Sequence, residues 1–222
     1  MTQNFRPPEV RPAPVLLWIV GFCALFETAF TLAESPFFAF GALRRTAILY
    51  GAFWPGLLGD WGPIFPGQRF TMFLSYAFLH GGFLHMVFNM LILLHLGRET
   101  VLRLGQTGFA LAFALCAVGG AGAFALLNGG EAPMLGASGV VFGLFGMTIY
   151  WDIQRRRAQR ASLDQPIRLI IGLVVMNVLL WALVGGMLAW EAHLGGFVTG
   201  ALLARIVTPT PRHRYRPRAR SR

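Results

Sequence analysis

The chain has 222 residues, of which 55% are hydrophobic and only 13% charged, and its mean hydropathy is +0.59. An average soluble domain carries about 25% charged residues, so an ordinary soluble class is excluded. The 19 basic residues are all Arg and the formal net charge is +10. They fall between apolar runs and at the chain ends, not along one helix face, which speaks against a nucleic-acid interface.

Taken in chain order, Arg6 and Arg11 precede an apolar run from Pro14 to about Ala33. The run exceeds the 7–15 residues usual for the apolar part of a cleaved signal and reads as a retained first span. Cys23 and Cys116 lie inside apolar runs and allow at most one disulfide. Glu34 to Thr71 is rich in Gly, Pro and aromatic residues, including Phe53-Trp54-Pro55-Gly56 and Trp61-Gly62-Pro63. It is too broken to span and too apolar for a free linker, so it is expected to lie partly embedded in one interface. Further spans, each long enough for a hydrocarbon core of about 30 Å, are predicted at 72–96, 107–127, 138–152, 167–187 and 188–207. The fold class expected is an all-α polytopic membrane protein, a bundle of six transmembrane helices with a long loop between the first two. Its organisation is a segment 1–13, a six-span unit 14–207 and a basic tail 208–222 with affinity for anionic lipid.

Arginine bias orients the bundle. Arg6 and Arg11, Arg98 and Arg103, Arg155 to Arg157 with Arg160, and the tail all fall on one side; Arg44, Arg45 and Arg69 in the long loop run against the trend. Both termini are therefore expected to be cytoplasmic, with the long loop and the loop 128–137 outside.

Polar residues inside spans are costly and ask for a reason. Glu27, His95 and Asn177 show no partner in the sequence and read as packing or interface residues. His85 and Asn89, four apart, share one helix face, with His80 over a turn nearer the outside; by themselves His85 and Asn89 read as an interhelical hydrogen-bonded pair, and His80 equally well as an interface histidine. Gly136-Ala137-Ser138-Gly139 opens the fourth predicted span. A serine in a helix's first turn sits among unpaired N–H groups and at the positive dipole end, which suits a developing oxyanion, although serine there is also a common cap. His193, flanked by Gly195 and Gly196, lies twelve positions before Arg205, roughly 18 Å along a helix, and so matches the depth of Ser138. Gly139, Gly143 and Gly146 on one span, and Gly196 and Gly200 on another, permit close helix packing. A neutral histidine can take a serine's proton. No carboxylate is placed to orient His193, since Glu191 points to another face, and the reading is a Ser–His dyad. His85, Asn89 and the Ser138 N–H would stabilise an oxyanion.

Together, His80-x4-His85-x3-Asn89, Gly136-Ala137-Ser138-Gly139 and Ala192-His193-x-Gly195-Gly196 resemble the rhomboid family of intramembrane serine proteases. The resemblance runs over roughly Phe73 to Gly200. It implies Ser138 as nucleophile, His193 as its base, His85 and Asn89 at the oxyanion site, and a structural role for His80. Gly136 and Ala137 would meet the substrate backbone, while Gly139, Gly196 and Gly200 would shape the surroundings. It implies transmembrane segments of other proteins as substrates, lipid as the medium, and no cofactor or metal. Two departures stand out: Thr71-Met72 where the family often has Trp-Arg, and Val101, with Glu99 nearby, where it often has Glu. The fifth span, Ile167 to Met187, is the expected lateral gate, and a bacterial inner membrane the expected location. The main rival is an inactive relative that binds transmembrane segments. A proton-relaying transporter would show an internal repeat, and a metalloprotease a His-Glu-x-x-His signature.

Overall fold

The computed structural model describes residues 13–37 and 42–207. Its helices are α1 (Pro14–Ala33), α2 (Leu43–Gly51), α3 (Gln68–Ser75), α4 (Phe83–Leu127), α5 (Ser138–Ala158), α6 (Asp164–Leu183) and α7 (Trp190–Ile206), with single 3-10 turns at Pro55–Leu58 and Tyr76–Phe78. Among the described residues no strand forms beyond an isolated antiparallel bridge between Phe53 and Met134. Helices α1, α4 and α6 are long and apolar enough to cross a membrane, and the chain is an integral membrane protein. The predicted segments 1–13 and 208–222 lie almost wholly outside the described residues.

A straight helix as long as α4, 45 residues, would extend about 68 Å, more than twice the hydrocarbon thickness. It does not stay straight. Gly105 takes φ 74° and ψ 175°, a backbone state that a Cβ disfavours, and the chain divides into arms 83–104 and 106–127. The arms meet beside this turn: a Cβ on Gly97 would come within 3.1 Å of the Phe109 ring.

Three boundaries depart from the sequence reading. The span expected at 72–96 is broken, because α3 ends at Ser75 and α4 starts only after Gly82, whose φ of 153° suits glycine. His80 therefore sits in the link between two helices and not on the face of His85 and Asn89. Helix α5 runs past residue 152 to Ala158, supported by Asp152, which accepts bonds from Arg155 and, at 2.7 Å, from Arg156. Such pairs three and four apart reinforce a helix, and the Arg residues complement its negative end. Helix α6 stops at Leu183, before Gly185 and Gly186 with φ of 65° and 82°.

The core sits where α4, α5 and α7 pack against one another. Val140, Val141, Leu144 and Met147 of α5 are buried with Cys116, Ala117 and Ala121 of α4 and Ala192 of α7. Glycines bring the α5 and α7 backbones into contact: a Cβ on Gly196 would overlap the Gly139 carbonyl, and one on Gly200 the Gly143 carbonyl. By contrast, only Pro166 and Leu173 of α6 are buried, and its main apolar anchorage is a small cluster of Leu173 with Phe142 and Ile149.

The segment between α1 and α4 is held by polar bonds. Gln68, fully buried, donates from Nε2 to the Leu49 carbonyl at 2.8 Å and accepts the Ile64 N–H at 2.7 Å. Ser75 Oγ donates to Gly51 O at 2.7 Å. Glu27, read from sequence as a packing or interface residue without a partner, has one: Arg44 donates to its two oxygens at 2.9 and 3.0 Å, and to Glu34 at 2.8 Å. Hydrogen bonding to Glu27 raises the already high pKa of Arg44. Arg44 also donates to the His80 carbonyl at 2.8 Å, tying α1, α2 and the α3–α4 link to one side chain. Arg44→Ala would strand the buried Glu27 carboxylate and is expected to cost about 3–5 kcal/mol. In detergent its thermal midpoint should fall clearly below that of Glu27→Gln, and matching midpoints would show that the pair does not hold this region.

Candidate active site

Ser138 is the first residue of α5, where helix geometry leaves the leading N–H groups without an i−4 acceptor. The approach to it is set by Gly136, which takes φ 122° and donates its N–H to the Tyr76 carbonyl at 2.9 Å. A Cβ on Gly136 would come within 2.7 Å of the His85 ring, so glycine is needed both for the backbone state and for the close approach. Ala137 is buried, and Ser138 remains partly exposed.

His193, in the first turn of α7, is 4% exposed. Its Nε2 lies 2.8 Å from Ser138 Oγ. The imidazole stacks on Phe142, one turn beyond Ser138 on α5, with ring centroids 4.2 Å apart and planes 3° from parallel. The backbone contact at Gly196 and Gly139 lies beside this pair, and it lets the two helices approach closely enough for the hydrogen bond.

The remaining sequence-selected residues are distributed less simply. His85 is exposed and its ring lies against Gly136. Asn89 is buried, and its Nδ2 donates to the His85 carbonyl at 2.9 Å, a bond within its own helix. His80 is buried and meets His85 edge-on, ring centroids 5.2 Å apart.

Two residues at the site escaped sequence reasoning. Asn177 of α6, taken as a packing residue, places Oδ1 2.6 Å from His193 Nδ1. Tyr76 is buried and donates from its hydroxyl to Ala117 O at 2.9 Å, and a Cβ on Gly120 or Gly139 would meet that hydroxyl within 3.1 and 3.3 Å. No local signal marked it, because its partners come from α4 and α5. A cavity of about 480 Å³ opens beside His193 between α5, α6 and α7, walled by Phe142, Leu173, Asn177, Trp181 and Trp190. Among the described residues no cluster of three His, Cys, Asp or Glu side chains could hold a metal ion.

The family model of the rhomboid domain matches residues 67–210, from the start of α3 past the end of α7. The chain belongs to the rhomboid family. It is 28% identical over 155 residues to RHOMBOID-like protein 5 of Arabidopsis thaliana, covering 67% of this chain and 47% of that protein. RHOMBOID-like protein 4 of the same plant is 32% identical over 152 residues, 66% of this chain and 36% of its own length. The rhomboid protease GlpG of Serratia proteamaculans is 36% identical over 137 residues, 59% of this chain and 46% of that protease. This rhomboid chain thus spans less than half the length of each of these relatives. The stretch 67–210 matched by the family model contains every candidate site residue, and α1 and α2 precede it.

Proposed function

We propose that this rhomboid protein is an intramembrane serine endopeptidase that hydrolyses peptide bonds in or near transmembrane segments of other membrane proteins. The observation that carries the reading is the 2.8 Å contact between Ser138 Oγ and His193 Nε2. In the first step His193 takes the Ser138 hydroxyl proton as Oγ attacks the scissile carbonyl carbon, and the carbonyl pair moves onto its oxygen. N–H groups at the head of α5, with the His85 ring beside Gly136, are the donors for that oxyanion. Collapse expels the amine, which receives the proton from His193. Water, deprotonated by the same nitrogen, then releases the acid from Ser138. Asn89 Nδ2 gives one N–H to the His85 carbonyl, and its second N–H is the donor that the family resemblance assigns to the oxyanion.

The proposed topology has six crossings: α1, the two arms of α4, α5, α6 and α7. Both termini are cytoplasmic and Ser138 is near the outer face, in a bacterial inner membrane. Two of the three outer Arg residues that run against the charge bias are engaged locally: Arg44 is bonded to Glu27 and Glu34, and Arg69 donates to the Trp61 carbonyl at 2.9 Å. A helical substrate hides its carbonyls in internal bonds, so local unwinding at small residues is required before Ser138 can attack.

The test uses the purified full chain in proteoliposomes with a single-span reporter, together with a fluorophosphonate probe. Cleavage of the reporter and a probe adduct on Ser138 are expected. A folded chain that retains the reporter uncleaved and takes no label would instead identify a protein that binds transmembrane segments without hydrolysing them.

A further inference from the structure

The amide of Asn177 faces His193 in a defined sense. Its Nδ2 donates to the Leu173 carbonyl at 3.4 Å, and a carbonyl can accept only from the N–H end of an amide. That turns Oδ1 toward the imidazole, 2.6 Å from Nδ1. An amide oxygen is an acceptor only, so Nδ1 must carry the proton of a neutral His193. Nε2 then bears the lone pair, and it is Nε2 that faces Ser138 Oγ at 2.8 Å. Phe142, stacked on the ring face, blocks tilting but cannot choose between tautomers, since it makes no bond to either nitrogen.

From this geometry we infer that Asn177 is a positioning residue, which selects the Nδ1–H tautomer of His193 and holds its Nε2 ready to accept the Ser138 proton. The inference rests on the reading of Ser138 and His193 as nucleophile and base. It makes the site a three-residue chain drawn from α5, α7 and α6. The third member comes from α6, the least buried of the three long apolar helices, with only Pro166 and Leu173 buried, and its bond persists only while α6 is seated against α5 and α7. Asn177 touches no reacting atom and acts through the ring alone.

Two readouts on the purified full chain in detergent test this. The first is the rate of fluorophosphonate labelling of Ser138 in wild type, Asn177→Leu and Asn177→Asp. Asn177→Leu, close in shape but without an acceptor, is expected to label about 10- to 100-fold more slowly, short of the ~10⁴-fold loss when a buried carboxylate partner of a catalytic histidine is replaced. Asn177→Asp keeps the oxygen and should restore most of the rate. The second is histidine side-chain ¹⁵N NMR, with the His193 signals identified by their loss in His193→Ala. The wild type should show protonated Nδ1 and bare Nε2, Asn177→Leu a mixture of tautomers, and Asn177→Asp the wild-type pattern or a doubly protonated ring. A wild-type tautomer pattern and labelling rate in Asn177→Leu would overturn the assignment. So would an Asn177→Asp chain that labels as slowly as Asn177→Leu while its tautomer is unchanged, since that outcome marks a packing role. A wild-type chain that takes no label yet loses its Nδ1–H signal in Asn177→Leu would support the positioning role and remove the hydrolase reading instead.

Discussion

Ser138→Ala is expected to abolish both probe labelling and reporter cleavage, while His193→Ala should slow cleavage by about 10³-fold or more. An alcohol at its own pKa is a poor nucleophile, and the 2.8 Å contact with Nε2 gives its proton a route out as the bond to carbon forms. Because the two residues act as one unit, the losses should not add, and the double variant should match the Ser138 variant. Ser138→Ala should not much alter the thermal midpoint, since Ser138 is partly exposed. The comparison is made by reporter cleavage in proteoliposomes. A His193→Ala chain that cleaves within a few-fold of wild type would transfer the base role to another group.

Gly200→Val is the second large effect, and it acts on stability. A Cβ at Gly200 would overlap the Gly143 carbonyl oxygen and lie 2.9 Å from the Gly143 Cα. The obstacle is backbone of the neighbouring helix, which cannot swing aside as a flexible side chain would. Overpacking a close-packed interior by even a few methylenes costs about 1–3 kcal/mol. Here α5 and α7 must separate along their length, so the upper end or more is expected. The separation also pulls His193, on α7, away from Ser138, on α5. Gly200→Val should therefore lower the thermal midpoint in detergent and the labelling rate together, whereas Ser138→Ala lowers labelling alone. Wild-type stability in Gly200→Val would show that the α5–α7 interface is looser than its glycine contacts imply. The open Gly21, whose Cβ would meet nothing within 4 Å, supplies the control: Gly21→Val should leave labelling unchanged.

The bond between Asn177 and His193 ties α7 to α6, a helix that shares little buried surface with the rest of the bundle. Arg44 does comparable work at the other end of the motif region, bonding Glu27, Glu34 and the His80 carbonyl. The Thr71-Met72 pair, which departs from the family's usual Trp-Arg, lies on α3, and there the neighbouring Gln68 anchors the segment to Leu49 and Ile64.

What the sequence by itself determined was the membrane class, the helical composition, the candidate serine and histidines, and the glycine faces. All of these depend on composition or on spacings of a few residues, which a helix converts directly into depth and direction. It misjudged places where a break or a partner is not local. The helix expected at 72–96 is split by Gly81 and Gly82, which resemble any pair of glycines in a membrane helix until the chain is seen to turn. Glu27 and Arg44 are separated by a helix end and a loop, and Asn177 and His193 by the turn from α6 to α7. Whether such pairs meet depends on the rotation of one helix about its axis and on its register against the next, and both are set by packing over whole helix faces. Only the tertiary structure decided that Asn177 faces the imidazole, because that contact exists only when α5, α6 and α7 are packed together.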